Sequence, residues 1–223
     1  MLTHAEENYL KAIYKIGETN NSAAQTTEIS VAINTTTASV TDMLKKLAEK
    51  KIVHYEKYHG VTLTDEGLLT ARALIRKHRL WEVFLCEKLG YRWDECHDMA
   101  EQLEHIRSED LSERLDSFLN YPQFDPHGDP IPDKNGVYAR RVQQPLNSLQ
   151  IGESGIVVGV CENSSGFLQH LSRIGLGLGV VVSVIEVFPF DGSQKIKIHD
   201  TETILQISRE VNKNIYVTTV VNG

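Results

Sequence analysis

Through roughly the first half of the chain, apolar residues recur at three- and four-residue intervals: Tyr9, Ile13 and Ile16; Ile29, Ala32 and Ile33; Val40, Met43, Leu44 and Leu47; Leu111, Leu115, Phe118 and Leu119. That period puts each set on one face of a helix. Further on the pattern changes. Gly155–Cys161, Gly179–Pro189 and Gln194–Asp200 are Val- and Ile-rich runs bounded by Gly, Pro, Asn, Asp and Ser, which predicts short strands. One helical stretch, FLQHLSRIG, interrupts them, so the last segment of about 75 residues reads as a small barrel. Between the two regimes lie five of the six prolines, within residues 122–145, with neither period. This part reads as a linker or irregular arm. The predicted fold is mainly α over the N-terminal two-thirds, followed by a small all-β domain.

Residues 26–64 refine the helical part. TTEISVAI predicts a short helix with a threonine cap, Asn34 a break, and TTASVTDMLKKLAEKK a second helix. Two helices and a turn are only a helical hairpin. IVHYEKYHGVTLT then alternates around Tyr58-His59-Gly60, which predicts a β-hairpin appended to the pair, the order of a winged helix-turn-helix. Thr35, Thr36, Thr37, Ser39 and Thr41 crowd hydroxyls at the start of the second helix, where phosphates and base edges would meet them and the free backbone amides. Thr35, Thr36, Thr37, Ala38, Ser39, Asp42, Lys46 and Lys57 are the candidate DNA-contacting residues. On an isolated helix, capping and solvation would account for them; the appended wing favours a DNA reader.

The formal charge of −7 on 223 residues argues at first against nucleic acid. Locally the sign reverses: residues 43–58 carry five lysines against Glu49 and Glu56. No apolar run reaches the roughly 18 residues of a membrane span, and the amphipathic start has no signal core, so a cytoplasmic protein without a membrane partner is expected. Three scattered cysteines form no disulfide framework, in keeping with that compartment.

Candidate chemistry lies in CHDMAEQLEH. As a helix it would bring His97, Glu101, Glu104 and His105 to one face, with no cation among them. The preceding helix has a seam of Leu68, Ala71, Ile75, His78, Glu82, Leu85 and Leu89, in which two ionisable residues interrupt an apolar face. Unpaired burial would be costly. A hydrogen-bond network would satisfy any one histidine; six such residues on neighbouring helices favour a divalent cation, and carboxylates with imidazoles suit Mn(II), Fe(II) or Zn(II). Cys96, rotated about 100° from His97 on a helix, is set aside as a ligand.

AEENYLKAIY, SVTDMLKKLAEKKIV, LTDEG, RKHRLWEVFL, HDMAEQLEH and DPHGDPIP together resemble the diphtheria-toxin-repressor and manganese-transport-regulator family. The resemblance implies a winged helix-turn-helix DNA-binding domain over 1–70, a helical metal-binding and dimerisation domain over 71–121, the arm over 122–145, and an SH3-like domain similar to ferrous-iron-transport accessory proteins over 146–223. It implies a principal metal site from Asn8, Glu101, Glu104 and His105, a second from His78, Glu82 and His97, and an arm contribution from Asp125 and His127. Asn8 departs from the usual Met or Asp, and Glu101 stands where iron-responsive members often have Cys, as in the manganese branch. The expected protein is a homodimeric, metal-activated repressor reading pseudo-palindromic double-stranded operator DNA. Mn(II) is the first expectation, Fe(II) the alternative, with Zn(II) binding in vitro. The competing readings are a winged-helix regulator of an organic ligand and a non-regulatory metalloprotein. No H-E-x-x-H, phosphate loop or nucleophile elbow supports an enzyme.

Overall fold

The computed structural model describes residues 2–108 and 110–219. They form two compact units, which interleave along the chain.

The first unit comprises residues up to His78 with the segments 103–108 and 132–138. It opens with α1 (His4–Asn20), whose capping box closes between Thr3 and Glu6. α2 (Thr26–Ala32) and α3 (Thr37–Glu49) follow, then the hairpin β1 (Val53–Glu56) and β2 (Gly60–Leu63), paired antiparallel. The cap of α2 is Gln25, in a reciprocal box with Glu28, rather than a threonine. Gln25 has the extended backbone, and the threonines after it are already helical. Asn34 makes the break with φ 50°, and Thr36 caps α3 by accepting from the Ser39 amide. Leu10, Ile13, Ile29, Val40, Leu44, Leu47, Val61 and Ile75 pack as one core, so α1 is built into the winged reader.

α4 (Asp65–Leu89) runs without interruption from the first unit into the second. Of its predicted seam, Ala71, Ile75, His78, Glu82 and Leu85 are buried, whereas Leu89 at the helix end is exposed. The second unit comprises 79–102, 110–131 and 139–219 among the described residues. It contains α5 (Cys96–Leu103) and α6 (Leu111–Phe118), where Leu80, Val83, Leu115, Leu119 and Ile131 form a small core. α5 is shorter than the sequence suggests: it stops at Leu103, and Glu104 and His105 lie in the turn that follows.

The rest is the β domain, with β3 (Gln144–Pro145), β4 (Ser154–Val160), β5 (Val181–Val187), β6 (Gln194–Ile198), β7 (Thr203–Ile207) and β8 (Ile215–Thr219) in the order β3-β8-β4-β5-β6-β7. Every pairing is antiparallel. α7 (Ser165–Ile174) covers the sheet through Leu168 and Leu171, and a one-turn helix, α8 (Arg209–Asn212), precedes β8. The arm is seated on β4: Gly128 has φ 87°, a Cβ there would stand 2.1 Å from the Val158 carbonyl oxygen, and the Val160 amide donates to the His127 carbonyl.

Candidate metal centres and DNA reader

Two clusters of buried acids and imidazoles stand out, one in each unit. In the first, α1 places Glu7, Asn8 and Lys11 on adjacent turns of one face. Glu104, wholly buried, accepts from Lys11 Nζ at Oε1 (2.5 Å) and from His78 Nδ1 at Oε2 (2.7 Å). Burial alone would raise its pKa, but the His78 hydrogen bond and the Lys11 charge outweigh that and hold it below the usual range. His105 donates through Nδ1 to Glu7 Oε2 at 2.6 Å, stacks on His4 at 4.4 Å, and has Nε2 3.7 Å from Glu104 Oε1. Asn8 Oδ1 is buried without a hydrogen-bond partner among the described residues. Glu7 and Lys11 escape sequence reasoning, since their partners lie 98 and 93 residues away; only their i, i+4 spacing beside Asn8 signals a shared face.

In the second unit, α4 supplies Glu82, α5 supplies His97, and the arm supplies Asp125 and His127. His97 Nδ1 donates to Glu82 Oε1 at 3.0 Å. His127 Nδ1 lies 3.6 Å from Glu82 Oε2 and 3.9 Å from Asp125 Oδ1, while its Nε2 donates to the Trp93 carbonyl at 2.8 Å. That bond fixes the ring and turns Nδ1 toward the carboxylates. Desolvation, reinforced by Glu82 and Asp129, pushes Asp125 up to about 7 despite Arg79 at 3.4 Å. Burial opposes charge on His127, but Glu82 and Asp125 carry its pKa up to about 9. Cys96, set aside above, brings Sγ within 4.8 Å of ligand atoms of Glu82 and His127. A hydrogen bond with Cys86, then burial, push its pKa far up in the metal-free protein, and a cation on Sγ would have to displace that proton.

The resemblance-derived ligands are thus distributed unevenly. Glu104 and His105 meet α1, while Glu101, half-buried on α5, belongs to the second unit. His78 stands one helical turn before Glu82 on α4 and donates to Glu104. Both clusters have donor sets fit for a divalent cation: the first has an orphaned amide oxygen, the second two crowded buried carboxylates with an oriented imidazole.

Thr35, Thr36, Thr37, Ala38, Ser39, Asp42, Lys46 and Lys57 are all exposed. Two neighbours are engaged elsewhere: Lys50 pairs with Glu6 at 2.7 Å, and Thr41 donates to the Thr37 carbonyl.

Residues 1–61 match the family model "Iron dependent repressor, N-terminal DNA binding domain", residues 64–133 "Iron dependent repressor, metal binding and dimerisation domain", and residues 144–219 "FeoA domain". A solved manganese-dependent transcriptional repressor in complex with manganese is 33% identical, with TM-score 0.83, covering 96% of this chain and 99% of its own. The chain belongs to the metal-dependent transcriptional repressor family. An uncharacterised helix-turn-helix transcriptional regulator of Methanocaldococcus jannaschii is 36% identical over 118 residues, 53% of this repressor and 94% of that protein. The iron-dependent repressor IdeR of Mycobacterium bovis is 31% identical over 131 residues, 59% of this chain and 56% of its own. The all-β end of the repressor, which the sequence predicted on its Val/Ile runs, is the part matched as FeoA. Among the described residues no helix is long and apolar enough to cross a membrane.

Proposed function

We propose that this repressor acts in the cytoplasm as a homodimer that closes on a pseudo-palindromic operator when loaded with Mn(II), or with Fe(II) where oxygen is absent. The observation that carries the proposal is the presence, in one chain, of an exposed winged helix-turn-helix and a Glu82–His97–Asp125–His127 cluster, buried except at His97, in which burial and the neighbouring acids push Asp125 up to about 7. A bound divalent ion supplies the positive charge that these carboxylates otherwise draw from protons. Glu82, His97, Asp125 and His127 would hold one ion, with His78 on the same helix as Glu82. Asn8, Glu104 and His105 of the first unit would hold the regulatory ion. The hard oxygen and imidazole donors suit Mn(II), although the Irving–Williams order lets Zn(II) bind tightly in vitro.

The chain's own residues explain how such a clamp would reach DNA. α1 shares its core with α2, α3 and the wing, so whatever fixes Glu7, Asn8 and Lys11 against residues 103–108 fixes the reader with them. Metal binding then favours one conformation, as allosteric activation requires. Phe118 and Tyr121, 60% and 66% exposed near Leu115, offer an apolar surface for the second copy.

Operator binding followed by fluorescence anisotropy tests the whole reading: affinity should rise on adding Mn(II) and fall with chelator, and equal affinity in both would overturn it. Within the reader, Lys46→Ala should weaken operator and random DNA alike and lower the salt slope by about 1, whereas Thr37→Ala or Ser39→Ala should act mainly on the operator.

A further inference from the structure

The cluster at α1 contains an ammonium where a metal-binding cluster would be expected to have only donors. Lys11 is 8% exposed, and its Nζ sits 2.5 Å from an oxygen of the wholly buried Glu104. Burying such a pair is rarely the cheapest way to hold a helix in place, since apolar residues of similar volume do it at least as well. The surroundings show what the pair is adjacent to. Lys11 shares a face of α1 with Glu7 and Asn8; Glu7 reaches His105, His105 Nε2 stands 3.7 Å from the oxygen that Lys11 holds, and Asn8 presents a buried oxygen with no partner. Carboxylates, imidazoles and an amide oxygen thus surround a fixed positive charge.

We propose that Lys11 is an intramolecular competitor for the metal at Glu104, so that an ion entering the α1 cluster must displace its ammonium. The inference rests on the regulatory reading above and adds a threshold to it. In the metal-free protein Lys11 already docks α1 onto the 103–108 segment, through a monovalent charge on a flexible stem. A divalent ion drawing on Glu104, His105 and Asn8 would take the same oxygen, and the free Mn(II) concentration needed would be raised by the cost of breaking the pair. The length of the lysine stem sets where the released ammonium can go, and the side chain retains a route to solvent because it is not wholly enclosed.

Two measurements on the full chain test this. In the wild type, lysine acylation read by mass spectrometry should find Lys11 protected with chelator and reactive at saturating Mn(II), while exposed lysines react throughout. In equilibrium Mn(II) binding, Lys11→Gln should shift the weaker step to lower concentration by roughly tenfold or more, with Lys11→Arg staying near the wild type. Protection of Lys11 that persists at saturating Mn(II) overturns the proposal, as does a Lys11→Gln isotherm that superimposes on the wild type. Should Lys11→Gln fail to fold, the acylation result decides alone. A normal Mn(II) response on operator DNA with either negative result removes the competitor and leaves the repressor reading. No Mn(II) bound by either protein removes both, and binding by Lys11→Gln alone removes only the metal-activated reading of the natural chain.

Discussion

Glu104 in the first unit and Asp125 in the second are both buried carboxylates beside histidine, yet their charges are handled in opposite ways. Glu104 has one oxygen on an ammonium and the other on an imidazole, and its pKa is held down despite burial. Asp125 faces Glu82 and Asp129, with Arg79 no nearer than 3.4 Å, and its pKa is driven up to about 7. At Glu104 the neighbouring cation outweighs burial; at Asp125 the Arg79 guanidinium does not, and a proton makes up the difference. The difference teaches where a metal ion has most to offer: it relieves crowding at Glu82 and Asp125, whereas at Glu104 it must first compete.

The largest expected effect breaks the compensated side. Glu104→Ala leaves Lys11 and His78 buried without their shared partner and should cost about 3–5 kcal/mol in urea denaturation of the metal-free protein. Asp125→Asn removes a disfavoured charge while its Oδ1 can still accept from the His127 and Asp129 amides, so at pH 8 stability should change by less than about 1 kcal/mol. The same substitution should weaken Mn(II) at the second-unit centre by more than roughly tenfold. Comparable destabilisation by the two substitutions would erase the contrast.

A second test concerns the arm. Gly128→Ala introduces a Cβ that would meet the Val158 oxygen at 2.1 Å, on a backbone with φ 87°. It should cost about 1–3 kcal/mol and weaken Mn(II) binding without removing any ligand, because it displaces His127 next to it.

pH sharpens the comparison further. Asp125 and His127 both have folded pKa values above their ordinary ones, about 7 against 3.8 and about 9 against 6.5. The native state then binds more protons than the unfolded state between those limits, so metal-free stability should fall as pH rises: through Asp125 from about 4 to 7, and through His127 from about 6.5 to 9. His127 contributes stability that is fully present below its unfolded pKa and lost as pH passes its folded one. Mn(II), which replaces these protons, should bind more tightly across the same range, and an isotherm flat from pH 6.5 to 9 would contradict the assignment.

Much of this architecture is legible in the residues themselves. Helical periods marked α1, α3, α4 and α6, the alternation around Tyr58-His59-Gly60 marked the wing, and the Val/Ile runs marked β4, β5 and β6. β7 and β8 fall outside those runs: TILQI and IYVTT are as long as β6, but neither has the strict apolar alternation of QKIKI. In the candidate sites, local spacing exposed His97, Glu101, Glu104 and His105, but not how they divide. A helical reading carried the stripe two residues past the end of α5, and the pairs Lys11–Glu104 and Glu7–His105 depend on tertiary closure that no local period encodes. The arm histidine was found by resemblance, while its orientation comes from the Trp93 carbonyl, a backbone group without a sequence signature.

Trp93 also lies stacked on the His127 ring, centroids 6.4 Å apart and planes 14° from parallel. An imidazolium beside an indole quenches its emission, and a paramagnetic ion on the same imidazole does so by another route, so the chain carries its own optical probe of that centre. Only one other tryptophan, Trp81, contributes background, and it packs edge-on to Phe84. In a Trp81→Phe background, the remaining emission would follow proton and metal on His127 without a label, turning an orienting contact into a spectroscopic window.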